Sequence, residues 1–584
     1  MARFLRGGSA TIILGIMALM LLAACSSDGD DDGASGGAAD TAAPAATAVP
    51  VAATAVPVAD LKPVETKLVI SGSDPVPKST YNPWAFESPR GPWFYGASHE
   101  SLIGSDPITG AHIPQLAESW AMEPDGTSVR FQLRKGVRFH GDNGDFSAKD
   151  IVATMGQHTR DDSQHTHRSQ YRAIEFVVVN DHEIIYQNAN SNPEILNNTS
   201  AWNVTSGEPF SAVSLDKLNG DPDAAMQPPA GTGAYQFVAG VHGMSWNVER
   251  VPYDHWRYTP DWEEIEFRWI NENSTRMAGL LAGEIHLTDL PPDQLQEAAK
   301  KGMVIGTANV LTRERAILFQ GPILDKSYAN YKEQGTACGY AWCESSLLDV
   351  KVRKALSKAI DRDAINDAYF NGTGIENHNT HFLNDRSYWN PDWDTQFQAE
   401  YGYDPAAAKA LLSEAGYGPS NPLEISLEAM VGGLPEEQDL METAAGYFAA
   451  IGIKPELDQR DSAAIRPTDR SFGWVNRLEY MSSNIVDLQA FRVHHWAGSA
   501  PRGGFELKEL ETAIDYHREI VDTEEVFKRL RQTGDTAFDL HIAIPLHWIA
   551  QELVYNPEVI ASYEFSGVPL GPIANFEQIL AVKK

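Results

Sequence analysis

Arg477 and Glu479 stand two residues apart, with Trp474 just before them. On a strand, residues at that spacing share a face. A guanidinium and a carboxylate side by side can hold the carboxylate and the amine of one small polar ligand. The plainer alternative is an ion pair, mutual or at the surface, which contributes little. Trp474, Trp496 and Tyr95 offer aromatic faces for a ligand, or else belong to the core. His158, His165 and His167 cluster in a polar stretch beside Arg160 and Arg168. A His-x-His pair can chelate a divalent metal, but an exposed loop of this kind is expected to serve no metal, and no metal site is assigned. His494 and His495 form a similar pair before Trp496, and His541 and His547 are expected to pack near a C-terminal strand. Beyond residue 65 the chain contains no Gly-x-Ser-x-Gly, no His-Glu-x-x-His and no phosphate loop. No carboxylate pair is marked out for glycoside chemistry. The expectation is a protein without catalytic residues or cofactors, one that binds rather than transforms.

Three cysteines complete the chemistry. Cys338 and Cys343 are separated by four residues, and outside the cytoplasm a disulfide is the default for such a pair. A loop that small adds only modest stability. Cys25 closes the run Leu22-Ala23-Ala24-Cys25, which ends an apolar stretch over residues 11–22 preceded by Arg3 and Arg6. That is the pattern of a secretory signal. The apolar run is short for a membrane span, which needs about 20 residues. The ending resembles the lipobox of bacterial lipoproteins. The resemblance implies that residues 1–24 are a signal peptide, that Cys25 is lipidated, and that the body stands outside the cytoplasmic membrane, periplasmic or at the cell surface. Residues 25–65 are poor in large apolar side chains and repeat Ala-Thr-Ala-Val-Pro. Such a segment cannot offset the entropy of ordering and reads as a tether.

The remainder is too long for one ordinary core, so two or three domains are expected. The whole chain's 43% apolar and 21% charged residues are those of a globular protein. The formal charge of −33 repels phosphate backbones and anionic lipid, which excludes nucleic acid as a natural partner. Strands are expected at 66–72, 128–133, 176–179, 183–186, 231–238, 246–251, 264–270, 284–288, 423–427 and 454–457. Helices are expected from Ser147, with Asp150 three residues on, and over 274–283, 349–370, 405–415 and 436–451, with a surface pair within 507–534. Strands and helices mix throughout, so the class is α/β with mixed sheets.

Eight stretches in this order carry a resemblance. They include Glu100-Ser101-Leu102, Pro114 to Trp120, Phe131 to His140, Phe146 to Val152, Gly231-Thr232-Gly233-Ala234-Tyr235 and Leu280 to Ile285. The most specific is Val352-Arg353-Lys354-Ala355-Leu356-Ser357-Lys358-Ala359-Ile360-Asp361-Arg362, and Tyr403-Asp404-Pro405 with residues 409–417 ends the set. Together they resemble the family 5 extracellular solute-binding proteins of ABC transporters, which take dipeptides, oligopeptides or nickel complexes. The resemblance implies a two-lobed periplasmic-binding-protein fold with an extra domain on the first lobe: 66–98, 226–316 and 545–584 as lobe I, 99–225 as the extra domain, 317–544 as lobe II. It also implies a monomer that captures a small solute, possibly a peptide, between the lobes and delivers it to a permease and ATPase complex. Peptide-binding members tend to carry Trp-x-x-Asp with Asp-Pro shortly after, but no Asp-Pro follows Trp474 here. Peptide specificity is therefore the open point. An oligosaccharide, an opine-like compound or a metal chelate is the alternative ligand, and a secreted hydrolase or a surface sensor the alternative class.

Overall fold

The computed structural model describes residues 62–584 except 73–92, 107, 109–110, 124–126, 164, 166–167, 189–195, 197–207, 221–226, 242, 325–337, 385, 387, 432–433, 462–463, 466–473, 484–494, 496–503, 516–522 and 566–575. Its spine is an 11-stranded mixed sheet. Two long antiparallel strands, Val304–Gln320 and Ala543–Tyr555, lie side by side at its centre. On one flank follow Leu287–Thr288, Lys67–Gly72, Glu264–Trp269, Ser245–Arg250 and Tyr235–Val241; on the other, Arg477–Ser483, Glu424–Val431 and Lys454–Asp461. The short strand Ile375–Glu376 adds to Ala543–Tyr555.

Each flank has its own apolar core. Leu68, Ile70, Trp246, Phe267, Leu553 and Tyr555 belong to the first. Ile317, Phe319, Val352, Leu427, Leu478 and Ile544 belong to the second. The two central strands contribute to both, one end to each. The ladder slips register at Thr307/Leu311, Leu311/Arg313 and Arg315/Ala316, and side chains from Ile549 to Glu552 are only half-buried. Sequence reading found no strand at 304–320, because Arg313, Glu314 and Arg315 interrupt any alternation. The lobe boundary expected at 316/317 falls inside it.

A third core, with Val129, Phe131, Phe146, Ile151 and Ile184, lies between an antiparallel four-stranded sheet and the helix Ala148–His158. That helix starts where Ser147 and Asp150 predict. The Asp150 carboxylate accepts the Ser147 amide at 2.8 Å and the Ala212 amide at 2.9 Å, a negative charge at a helix N-terminus. The expected hairpin is present as Ile174–Asn180 and Glu183–Asn188.

Residues 349–370 differ from expectation. Instead of one helix there are two, Val350–Lys358 and Arg362–Phe370. Asp361 caps the second by accepting the Ala364 amide at 3.0 Å. Arg362 is buried and donates to the carbonyls of Pro545 (2.6 Å) and Tyr401 (2.9 Å). Arg353 likewise donates to the carbonyls of Leu540 (2.8 Å) and Leu347 (2.6 Å). A continuous helix would place Arg362 about 100° per residue out of that position. Burial pushes both guanidiniums down to about 10. The most specific run of the sequence is thus an internal brace. Residues 62–64, counted with the tether by sequence, pair with the C-terminus: the Val64 amide donates to the Val582 carbonyl at 2.9 Å.

Gly231 and Gly233 lie against the backbone at Ser98. The Gly233 amide donates to the Ser98 carbonyl at 2.9 Å, and a Cβ on Gly233 would stand 2.6 Å from the Ser98 carbonyl carbon and 2.8 Å from the Ala97 oxygen. Nearby, the buried Glu100 carboxylate accepts from Trp256 Nε1 and Arg257 Nε, each at 2.9 Å. Burial would raise its pKa, but His255, 3.6 Å away, and the Arg257 charge outweigh it and hold the carboxyl below its ordinary value. Gly233→Ala is expected to lower stability by about 1–3 kcal/mol through overpacking against backbone, read as a lower urea midpoint at unchanged m.

Candidate functional site

The strand Arg477–Ser483 is buried along its whole length, between Glu424–Val431 and Val304–Gln320. Apolar neighbours explain Leu478 in such a place; Arg477 and Glu479 need partners. Both lie on one face, as their spacing predicts, and the register adds Gln320 beside Arg477 and Glu428 beside Glu479. Arg477 forms an ion pair with Glu428. Its guanidinium also lies 5.0 Å from the Trp474 ring centroid, a cation–π contact. Glu479 accepts from Gln320 Nε2 at 2.6 Å. Burial lowers the Arg477 pKa, and the charge of Glu479 opposes that. Arg477 is 2% exposed and Glu479 6%.

The formal charge of this cluster is negative, two carboxylates against one guanidinium. Gln320 Oε1 is buried and has no hydrogen-bond partner among the described residues. The arrangement is rich in acceptors and suited to a cationic or N–H-bearing group. Arg477 is engaged with Glu428, an ion pair that the sequence reading placed with Glu479 or at the surface.

Tyr95 is placed in the first core at 1% exposure, its ring 5.3 Å from Trp246 and 4.8 Å from His99. Trp496, His167 and Cys25 lie outside the described residues. His158 and His165 are buried rather than exposed as expected, with ring centroids 4.2 Å apart and Tyr171 and Phe210 alongside. The reason is helical spacing. His158 follows Ile151 and Met155 on the inward stripe of its helix. Among the described residues no three His, Cys, Asp or Glu side chains gather as a metal site. Cys338 and Cys343 are joined, with Cα atoms 5.9 Å apart.

Gln320 and Glu428 were missed by sequence reading. Glu428 had a signal, a lone charge within the apolar pattern from Ile425 to Met430; Gln320 had none. On the opposite face of the same strand, Tyr480 and Arg315 both meet Glu436, at 2.9 and 2.7 Å. The burial that would raise Glu436 is outweighed by the Arg315 charge, and its carboxyl lies below its ordinary value.

With this geometry in hand, the comparisons carry weight. The sequence model described as "Bacterial extracellular solute-binding proteins, family 5 Middle" matches residues 111–501. The chain belongs to this family. It is 26% identical over 359 residues to the heme-binding protein A of Haemophilus influenzae, covering 58% of this chain and 60% of that one. It is 26% identical over 428 residues to the dipeptide-binding protein of Escherichia coli K12, covering 68% and 72%. The match thus spans about three fifths of the first relative's length. In fold, the chain is similar to the periplasmic binding protein AgaA of A. tumefaciens R10 in complex with agropinic acid, with a TM-score of 0.67 at 20% identity over 89% of this chain and 99% of that one. Family 5 members are extracellular solute-binding proteins, and among the described residues of this one no helix is long and apolar enough to cross a membrane.

Glu428→Ala leaves the Arg477 guanidinium buried without its carboxylate and is expected to destabilise by about 3–5 kcal/mol. Glu479→Gln keeps an acceptor for Gln320 and is expected to leave the unfolding midpoint close to wild type. Urea denaturation of the two variants side by side checks both.

Proposed function

We propose that the protein is the solute receptor of an ABC importer, tethered by a lipid on Cys25, which captures a small solute between two lobes and hands it to a permease and ATPase complex without chemistry on the ligand. The observation that carries the reading is the acceptor-rich cluster of Glu479, Glu428 and Gln320, set on the second flank beside the strand that links it to the first. Glu479 and Gln320 receive an ammonium or N–H group of the ligand. Arg477, held by Glu428 and Trp474, keeps the two carboxylates from repelling each other in a dry environment. Trp496 is kept as a proposed aromatic partner of the ligand, and Tyr95, packed in the first core, is not assigned to it. The lobes and the extra domain follow the three apolar cores.

The ligand proposed is a peptide, its free amine on Glu479. A second reading keeps the receptor and changes the cargo to a non-peptide molecule. It is favoured by the missing Asp-Pro after Trp474 and by relatives named for heme and found with agropinic acid.

Native mass spectrometry of the full-length protein in mild detergent, followed by denaturation, identifies what it retains. A mixture of short peptides is the expected release, and a single non-peptide species decides for the second reading. With the recovered molecule as ligand, Glu479→Gln is expected to weaken binding about tenfold or more, some 1.4 kcal/mol; unchanged affinity removes Glu479 from the site.

A further inference from the structure

The central strand Val304–Gln320, the first of the two connecting strands, carries a buried carboxylate of its own. Glu314 is fully buried, and across the sheet its neighbours are Ser483 and Trp548, both uncharged. It accepts from Asn377 Nδ2 and from the His381 amide, each at 2.7 Å, and from His381 Nδ1 at 3.1 Å. His381 has φ +73°, a left-handed backbone that a non-glycine residue keeps only when its surroundings hold it there. Its other ring nitrogen lies 2.9 Å from Nε2 of His495. Both rings are buried, His381 at 0% and His495 at 1% exposure. The chain at His495 is in turn bonded to Phe505, whose amide donates to the His495 carbonyl at 3.2 Å.

We infer that Glu314, His381 and His495 form an acid-released clasp, which ties the chain at His495 and Phe505 to the first connecting strand until both imidazoles carry a proton. The hydrogen bonds dictate the logic. With the Glu314 carboxylate on His381 Nδ1–H, Nε2 of His381 is the acceptor and Nε2–H of His495 the donor. With a single added proton on the pair, one of the two facing nitrogens still accepts and the contact survives. A second proton puts N–H on both facing nitrogens at a 2.9 Å separation, and the contact becomes repulsive. Burial first, then the His381 charge, already hold His495 well below its ordinary value. An opened chain therefore takes up a proton that the closed chain excludes. The clasp keeps its full strength above the ordinary imidazole pKa of about 6.5 and weakens as pH falls below it. That acidification also lowers ligand affinity rests on the site assigned above, since strand Arg477–Ser483 leads into this stretch; the clasp itself does not.

The test is hydrogen exchange of the full-length protein without added ligand, at pH 7.5 and 4.5, corrected for intrinsic exchange and read at the peptide containing the Phe505 amide. Wild type is expected to lose tenfold or more of its protection at the lower pH. His495→Gln, whose amide can donate to neutral or accept from protonated His381, is expected to lose less than twofold. Equal loss in both proteins, or no loss in wild type, overturns the clasp. A ligand unaffected by pH while the exchange behaves as expected overturns only the link to the binding site.

Discussion

The two flanks of the main sheet are joined through one ladder, the antiparallel pairing of residues 304–320 with 543–555. In the order of the main sheet these two strands stand between the flanks, and each is anchored in both cores. At the second-flank end the side chains are buried, with one register slip at Arg315/Ala316; at the other end Val304 is exposed. In the middle the register slips twice and the side chains meet water. A ladder interrupted there has lost cross-strand bonds and bends at lower cost than either flank deforms. Two rigid bodies with a weak seam between them are what hinge closure requires.

Polar groups gather along the same strand. Gln320, Glu314 and Arg315 sit at its second-flank end, where it enters the core, and each binds a residue distant in sequence: Glu479, His381 and Glu436 respectively. Buried charges of this kind contribute little to net stability but are costly to mispair. They fix which neighbours the strand has. A closing motion is then a displacement of whole bodies, with the paired groups carried along, and a ligand works by favouring the closed arrangement.

The legible part of the fold was the part with local causes. Ser147 and Asp150 announce a helix, the break between Asn180 and Glu183 announces a hairpin, and Asp404-Pro405 with Gly416 brackets another helix. What stayed hidden depends on distant partners. Strand 304–320 shows no period because one end is buried on both faces and the middle is solvated. The break at Asp361 follows from carbonyls at Tyr401 and Pro545 that Arg362 must reach. At the site, the spacing of Arg477 and Glu479 was legible and the shared face follows from it. The partner of Arg477 was not: Glu428 stands out as a lone charge in an apolar run, but only the parallel register sets it beside Glu479 and within reach of Arg477. The histidines at 158 and 165 were misplaced for the converse reason: polar neighbours in sequence suggested a loop, while helical phase carries His158 inward.

The most direct test is a distance. Spin labels at Val238→Cys and Tyr403→Cys, exposed positions on opposite flanks of the sheet, report the separation of the two bodies by pulsed electron resonance. Measured before and after saturation with the molecule recovered from the native protein, the distribution is expected to shorten by several ångström and to narrow. An identical distribution in both states, with binding confirmed in the same sample, would contradict closure about the connecting strands.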